Sequence, residues 1–504
     1  YVKQRTCSSH IECEYSLMSI FNNNILAGAA SQSTTTPVHT IDQSIRFNAL
    51  DNPYMSKAFS SKGSPKKFTL SWWTKLGERT TSATSESQMF FIAYHSGGYQ
   101  TDFSIQSAAR AGGVAHTFRT YSVTTGGGAV WNFTTTQLFR DPSAWYNFVV
   151  VSDTDNAVQT ERFRLYINGQ RVTDFSTATY PSSGVEPVWN NSTSVTHYVG
   201  SRAGNVNTRF DGYMAEMVHI DGQALDPSSF GETNSSGIWV PKDVSGLTFG
   251  TNGFHIDGRD SADLGDDESG QGNDFTTSGL AAHDQVADSP TNSFAVLNPL
   301  DERGSGTLSD GNLQMAFGAT NDNVTATQGL NTGKWYWEVY IVDKDDPYVG
   351  VQDSGVASTG YTEDAVALWV DGGYIYEDGS DTGDRSTTYA NGDIVGVAFD
   401  VDNKKIWWSK NGQWYSADDS STATINISEV EAGNQAQVIT RSPDFFMPFV
   451  GNYNTGTVIM NFGQEGTFAG NVTAGGNSDG NGVGNFKYSV PSGYLALCTK
   501  NLGS

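Results

Sequence analysis

Short runs of alternating apolar and polar residues recur along the chain and predict β-strands. Residues 68–74 alternate with aromatic and β-branched side chains, and residues 162–167 do the same just before an Asn-Gly pair at 168–169. That pair favours a tight hairpin, because both turn positions need a positive φ. No long stretch keeps a helical period, and turn-forming residues recur about every 8–12 positions. The pattern therefore predicts an all-β protein built from antiparallel β-sandwiches.

The same kind of pattern occurs twice, on either side of an irregular stretch. Apolar runs at 145–151 and 394–399 predict strands that are buried on both faces. Residues 233–300 instead contain clusters of Pro, Gly, Asp and Asn with little periodicity. We therefore predict two sandwiches joined by an irregular segment, with these boundaries: an N-terminal extension or arm (1–42), a first sandwich (43–232), the connecting segment (233–300), a second sandwich (301–465), and a Gly/Asn-rich loop with a closing strand (466–504).

Net charge, cysteine content and the length of apolar runs exclude several classes of partner and site. The 29 Lys and Arg residues against 54 Asp and Glu residues give a net charge of −25 in a chain of 504 residues. A nucleic-acid partner is therefore not expected, because binding a phosphate backbone requires a basic surface. The cysteines are Cys7, Cys13 and Cys498, which form neither a disulfide framework nor a four-ligand zinc site. No apolar run approaches the ~20 residues of a membrane span, so we expect no membrane insertion.

Four segments of the second half resemble, in order, the signature of a SPRY domain. They are GKWYWEV at 333–339, YVGV at 348–351, GDIVGVAFD at 392–400 and WWSKNGQW at 407–414. The first half resembles the concanavalin A-like jelly roll of the laminin-G and pentraxin type, through residues 68–73, 145–151, 165–170 and 210–216. These resemblances imply that both sandwiches are concanavalin A-like jelly rolls, the first laminin-G-like (43–232) and the second a SPRY domain (301–465).

Residues 18–502 as a whole are similar to large virion proteins of tailed phages, notably marine ones. The segments that carry this similarity are 18–24, 220–232, 253–255, 288–292 and 493–502. It implies a virion structural protein at the particle surface, as a tail fibre or host-recognition component. Its partners would be other virion proteins, a host surface polysaccharide or protein bound through loops, and further copies of itself in a homo-oligomer. The alternative is a capsid decoration or tail scaffold protein without a host ligand.

Jelly rolls of this type include glucanases, so we ask whether the sequence contains the carboxylates that a glucanase needs. A retaining glycosidase needs two carboxylates about 5–5.5 Å apart. The candidate strand at 213–221 offers Glu216, but Asp221 lies five positions on and is expected on the opposite face. We therefore predict that the protein is not an enzyme, and a glycan depolymerase is the weakest alternative. His219 on the same strand is expected to be a structural histidine.

Aromatic and acidic residues near predicted loops are the candidate ligand-binding groups. Exposed rings would offer flat apolar faces to a sugar or peptide, although core or edge packing is the alternative for each. Clustered loop aspartates would suit calcium, a cation that prefers oxygen ligands, although such side chains also cap turns. No other cofactor is expected. The candidate ligand-binding aromatics are Trp131, Trp189, Tyr374, Tyr376 and Tyr389, and the candidate calcium ligands are Asp153, Asp155, Asp343, Asp345 and Asp346.

Overall fold

The computed structural model describes residues 39–78, 87–106, 116–203, 205–318, 321–355 and 362–502. Within these ranges the chain forms two sandwiches of antiparallel sheets, which confirms the predicted all-β class. Most of the predicted N-terminal arm lies outside the described residues. None of the helices in the described ranges is long and apolar enough to span a membrane.

The first sandwich consists of two eight-stranded sheets, which use strands up to residue 286. One sheet has the order β10-β9-β8-β3-β13-β1-β18 with β16 beside β13, and the other has the order β11-β7-β6-β5-β4-β12-β2-β17. The strands up to this point, including the separate hairpin β14–β15, are β1 (Ser44–Phe47), β2 (Tyr54–Ala58), β3 (Lys67–Leu76), β4 (Ser87–His95), β5 (Tyr99–Gln106), β6 (Thr117–Val123), β7 (Ala129–Leu138), β8 (Trp145–Asp153), β9 (Phe163–Ile167), β10 (Gln170–Arg171), β11 (Phe175–Thr179), β12 (Val195–Val199), β13 (Gly212–Asp221), β14 (Gly231–Thr233), β15 (Trp239–Pro241), β16 (Phe254–Ile256), β17 (Thr276–Ser278) and β18 (Gln285–Val286).

The second sandwich packs a ten-stranded sheet against a six-stranded sheet. The larger has the order β19-β20-β33-β22-β27-β28-β29-β30 with β31 beside β28 and β34 parallel to β22, and the smaller has the order β21-β32-β23-β24-β25-β26. The elements are β19 (Thr307–Ser309), β20 (Gln314–Phe317), β21 (Asp322–Thr325), β22 (Lys334–Asp343), β23 (Pro347–Asp353), β24 (Ala365–Trp369), β25 (Tyr374–Glu377), β26 (Ser380–Arg385), β27 (Ile394–Asp400), β28 (Lys405–Lys410), β29 (Gln413–Tyr415), β30 (Thr424–Ile425), α1 (Ile427–Ala432), β31 (Gln437–Val438), β32 (Phe446–Asn452), β33 (Gly456–Asn461), β34 (Leu495–Ala496) and α2 (Thr499–Leu502).

Short 3₁₀ turns connect several of these strands, and Asn or Asp side chains cap four of them. The turns are Ala49–Asp51, Gln159–Glu161, Val206–Thr208, Pro227–Ser229, Ala282–Asp284 and Pro299–Asp301.

Large aromatic side chains fill both cores, as the composition suggests. In the first sandwich Trp72 stacks on Phe148 of the neighbouring strand with centroids 5.2 Å apart, and it meets Phe91 of the opposite sheet edge-on at 5.2 Å. In the second, Trp408 donates its indole N–H to the carbonyl of Val349 in the opposite sheet at 3.0 Å. Burial of these rings removes a large apolar area from water, and the indole N–H of Trp408 keeps a hydrogen bond.

The stretch at 233–300 contributes strands to the first sandwich. β16 pairs with β13, β17 with β2 and β18 with β1. The carboxylate of Asp267 holds β16 from the loop side by accepting the backbone N–H of His255 at 2.8 Å and that of Asn273 at 2.8 Å. Aspartates in this segment therefore order backbone that has no hydrophobic period.

The C-terminal segment covers the outer face of the ten-stranded sheet. Phe486, Tyr494 and Cys498 pack there with Tyr336 and Trp407 in one buried cluster. Glu338, also on this face, is fully buried and accepts the backbone N–H groups of residues 487 and 488, both at 2.8 Å. The carboxylate therefore holds the returning chain against β22.

Glu338 should make stability depend on pH. Burial raises the pKa of Glu338 to about 7, against the opposing effect of its hydrogen bonds. Because the folded-state pKa lies above the unfolded one, the contribution of this group is largest at low pH and is lost as the pH rises through 7. The wild type should lose about 2 kcal/mol of unfolding free energy relative to Glu338→Gln between pH 5 and pH 8. Urea unfolding at both pH values measures this, and a constant difference between the two proteins would contradict it.

A buried ionic cluster joins the two sandwiches. Arg46 of β1 is fully buried, and its guanidinium lies 3.4 Å from Asp284, 3.1 Å from Asp310 and 3.6 Å from Glu465. Asp310 and Glu465 belong to the second half of the chain, so the second sandwich supplies most of the countercharge. Burial raises the pKa of Asp310 to about 6, although Arg46 opposes this shift. We call these four residues the junction cluster.

A second buried ion pair lies beside the junction cluster. The ammonium of Lys75 in β3 contacts Asp288 at 2.7 Å and donates to the carbonyl of Phe294 at 2.7 Å. Nearby, the hydroxyl of Tyr213 donates to the carbonyl of Gly311 at 2.8 Å. Arg46, Lys75 and Tyr213 of the first sandwich thus each have partners in the following segments, which fixes how the domains dock.

Candidate functional site

Four aromatic side chains lie together on the outer face of the six-stranded sheet. Tyr348 of β23 lies opposite Trp369 of β24, and Trp369 lies opposite Tyr374 of β25. Tyr376, two positions further along β25, points to the same face because side chains alternate along a strand. We call this group, which spans three neighbouring strands, the aromatic face.

The rings of the aromatic face contact one another. The centroids of Tyr348 and Trp369 are 6.4 Å apart with nearly parallel planes, and those of Trp369 and Tyr374 are 5.5 Å apart. Tyr376 meets Tyr348 edge-on at 5.8 Å. Tyr348 is buried, whereas the other three rings are partly exposed. The result is a continuous apolar platform, in which the buried ring of Tyr348 packs against the partly exposed rings.

Charged groups border and orient the platform. The guanidinium of Arg385 in β26 lies 4.0 Å from the centroid of Tyr374 and forms a two-pronged ion pair with Asp381 at 2.8 and 3.1 Å. The carboxylate of Asp346 accepts the indole N–H of Trp369 at 2.9 Å. Flat apolar rings next to oriented hydrogen-bonding groups are the usual composition of a small-ligand site.

The turn between β24 and β25 allows the rings to pack. Gly373 adopts a φ of 72°, which favours glycine. At Gly372 an added Cβ would collide with the rings of Trp369 and Tyr374. The Gly-Gly pair at 372–373 is therefore a local sequence requirement for the aromatic face.

The predicted ligand-binding aromatics divide between this face and the cores. Tyr374 and Tyr376 belong to the aromatic face, whereas the structure corrects the prediction for the other three. Tyr389 is buried, and its hydroxyl donates to the carbonyl of Ser409 at 3.1 Å. Trp131 is buried and donates to Thr120 at 2.9 Å. Such buried rings offer no face to a ligand.

Trp189 is also buried in the core of the first sandwich, together with His219. The indole N–H of Trp189 donates to Nε2 of His219 at 3.1 Å, and Nδ1 of His219 lies 2.9 Å from the carbonyl of Asn252. Burial lowers the pKa of His219. Both ring nitrogens are thus engaged within the protein, which agrees with a structural histidine.

The predicted calcium ligands lie at strand ends or in the turns that follow, and side chains of the protein contact four of them. Asp153 and Asp155 lie 3.4 and 3.3 Å from the ammonium groups of Lys67 and Lys66. Asp345 accepts the hydroxyl of Thr455 at 2.7 Å, Asp346 orients Trp369, and Asp343 is exposed. Among the described residues these aspartates form no group of three ligands around one point.

A different group of potential metal ligands lies on the outer face of the first sandwich. One oxygen or nitrogen atom from each of Glu216, His255 and Asp257 falls within 4.8 Å of the others, and all three residues are buried. Burial alone would lower the pKa of His255, but the hydrogen bond and charge of Glu216 raise it. Sequence reasoning found Glu216 but missed its partners, because they come from the stretch that shows no strand period.

Comparisons with known proteins define the class of both halves. Residues 52–229 match the family model of the concanavalin A-like lectin/glucanases superfamily, and residues 334–465 match that of the SPRY domain. The chain therefore contains a concanavalin A-like domain followed by a SPRY domain. Domains of these two kinds are typically binding modules rather than enzymes.

Several solved structures are similar to parts of the chain at low sequence identity. The SPRY domain of human HERC1 is 17% identical and covers 32% of this chain and 96% of its own, with a TM-score of 0.27. A heptameric SAP-like pentraxin from Limulus polyphemus is 14% identical over 38% of this chain and 80% of its own, with a TM-score of 0.27. A candidate carbohydrate-binding protein from Bacteroides ovatus is 15% identical over 47% and 58%, with a TM-score of 0.33. No curated protein sequence matches the chain.

Proposed function

We propose that this protein is a non-catalytic binding protein that recognises a cell-surface glycan through the aromatic face of its SPRY domain. The observation that carries the proposal is the partly exposed platform of Trp369, Tyr374 and Tyr376. The less polar side of a sugar ring can lie on such a platform while its hydroxyls reach the charged border. The concanavalin A-like and SPRY domain types support binding as the general role.

The arrangement of the carboxylates around the platform supports binding without cleavage. Asp346 is held by Trp369 and Asp381 by Arg385, so each orients a neighbouring side chain. A glycosidase would need one protonated and one free carboxylate on either side of a glycosidic bond. The border groups instead suit hydrogen bonds to sugar hydroxyls.

We propose that the protein is located at the surface of a phage particle, as a tail fibre or host-recognition component. The similarity of residues 18–502 to virion proteins of tailed phages supports this context. Other virion proteins would then be permanent partners, and a homo-oligomer would present several platforms at once. Several linked weak sites bind a polymer far more tightly than one site alone.

A panel of bacterial surface polysaccharides immobilised on beads tests the proposal. We expect the purified protein to be retained by at least one polysaccharide without release of reducing ends, as measured in the same samples. Release of reducing ends would contradict a non-catalytic role. Absence of retention across the panel would favour the architectural alternative, a decoration or scaffold protein without a host ligand.

A further inference from the structure

A β-bulge in the central strand β13 brings the carboxylate of Glu216 to the outer face of the sheet instead of the core. The pairing of β13 with β3 shifts register between Ala215 and Val218, so that two residues of β13 face one of β3. Glu216 lies in the bulge with a φ of 48°, a left-handed conformation that is uncommon for a residue other than glycine. The bulge turns Met217 into the core and leaves Glu216 near the outer face.

Strand β16 brings two further ligand-type side chains to the same place. His255 lies opposite Val218 of β13, one position beyond the bulge, and its Nε2 is 2.9 Å from Oε2 of Glu216. Asp257 follows directly after β16. The backbone of His255 is fixed on both sides, because its N–H donates to Asp267 at 2.8 Å and its carbonyl accepts from Glu268 at 2.8 Å. The ligand-type atoms are thus held by ordered backbone.

Asp257 contributes a buried carboxylate whose Oδ2 has an ion-pair partner but no hydrogen bond within the described residues. The side chain is only 3% exposed, yet within the described residues Oδ2 accepts no hydrogen bond. The guanidinium of Arg259, which is largely exposed, lies 2.9 Å from this oxygen, and Oδ1 accepts the backbone N–H of the same residue. Arg259 supplies the countercharge of this carboxylate, and a bound metal ion would compete with the guanidinium for it.

We infer that Glu216, His255 and Asp257 bind a divalent transition-metal ion, with Zn²⁺ the best-fitting candidate. Imidazole nitrogen and carboxylate oxygen are both zinc ligands, whereas calcium prefers oxygen ligands throughout. Around a tetrahedral zinc ion with bonds of 2.0–2.2 Å, donor atoms lie about 3.3–3.6 Å apart. The three donor atoms here lie within 4.8 Å of one another, so metal binding requires side chains to move inward by up to about 1 Å.

The metal would cross-link the bulge of β13 to β16, and hence the first sandwich to the segment that follows it. Glu216 also lines a narrow pocket with Ser71, Trp73 and Lys242 that has no room for a water molecule, so the three side chains would be the ligands of the ion. All three residues are less than a tenth exposed, which leaves no room for a sugar ring at the metal. The site is therefore structural in type and separate from the aromatic face.

Metal retention by the full chain tests the inference. The protein is stripped with a chelator, loaded with Zn²⁺ and dialysed against metal-free buffer, and the bound metal is measured by mass spectrometry. We expect the wild type to retain about one zinc ion per chain more than His255→Gln or Asp257→Asn. His95→Gln, at a partly exposed histidine far from the cluster in sequence, is the matched control and should behave as the wild type. Zinc bound elsewhere in the chain cancels in this comparison.

Two further readouts separate metal binding from a general loss of structure. Zn²⁺ at about 100 times its dissociation constant should raise the melting temperature of the wild type by about 5 °C or more and leave that of His255→Gln unchanged. Co²⁺ in place of zinc should give visible absorption bands in the wild type and in His95→Gln, but not in Asp257→Asn. Equal zinc retention by the wild type and both cluster variants would overturn the inference, as would retention of Ca²⁺ alone.

Discussion

Replacing Arg46 with methionine is expected to lower the free energy of unfolding by about 3–5 kcal/mol. Methionine fills much of the volume of the arginine stem but leaves Asp284, Asp310 and Glu465 without their shared cation. All three carboxylates are buried, so water cannot replace the guanidinium without opening the junction. Denaturant unfolding followed by tryptophan fluorescence measures the loss.

Arg171→Met is the matched control for this experiment. Arg171 pairs with Glu161 at 2.8 Å, but both side chains are about one-third exposed, and such pairs contribute at most about 1 kcal/mol. We also expect the two sandwiches of Arg46→Met to unfold in separate transitions, because the junction cluster couples them. A loss no larger than that of Arg171→Met would show that the junction cluster does not hold the domains together.

The double variant Trp369→Ala/Tyr374→Ala should weaken glycan retention at least about 30-fold. Removing aromatic anchors from the centre of a binding surface commonly costs 2 kcal/mol or more, and 1.4 kcal/mol corresponds to a factor of ten. The centroids of the two rings are 5.5 Å apart, and the guanidinium of Arg385 lies over the ring of Tyr374. Removing both rings therefore also removes the surface on which Arg385 packs. Elution from the polysaccharide that retains the wild type measures the change.

Tyr121→Ala is the control for that variant. Tyr121 is a partly exposed tyrosine in the first sandwich, and Arg119 lies 5.0 Å from its ring centroid, much as Arg385 lies above Tyr374. The control should bind as the wild type does, and circular dichroism should show intact sheets in both variants. If the control lost binding while the double variant kept it, the glycan site would belong to the first sandwich instead.

The all-β class followed from the sequence because it depends on local alternation and turn chemistry. Which side of a sheet a ring occupies depends instead on the pairing of distant strands. Tyr374 and Tyr376 are predicted from their place beside a turn, but Trp369 lies within the apolar run 366–370, which does not show which of its side chains face outward. Trp131 and Trp189 show the opposite error, because loop-like neighbours concealed side chains that fill the core.

The partners of Glu216 could not be predicted for two physical reasons. A bulge changes the alternation of a strand at one residue, and nothing in residues 213–221 marks its position. His255 also belongs to a strand of only three paired residues, which Asp257 directly follows and which the Asp267 side chain of the neighbouring loop holds in place. Both the bulge and the position of β16 depend on contacts between residues that are distant in sequence, which a local sequence pattern does not reveal.

The order in which a ribosome makes the chain gives the junction cluster a further consequence. Arg46 emerges early, whereas Asp310 and Glu465 follow more than 250 residues later and about 155 residues apart. At 5–20 residues per second, synthesis of the stretch between those two acids takes roughly 10–30 s. During that time Arg46 lacks part of the countercharge that surrounds it in the finished protein, and docking of the second sandwich completes it.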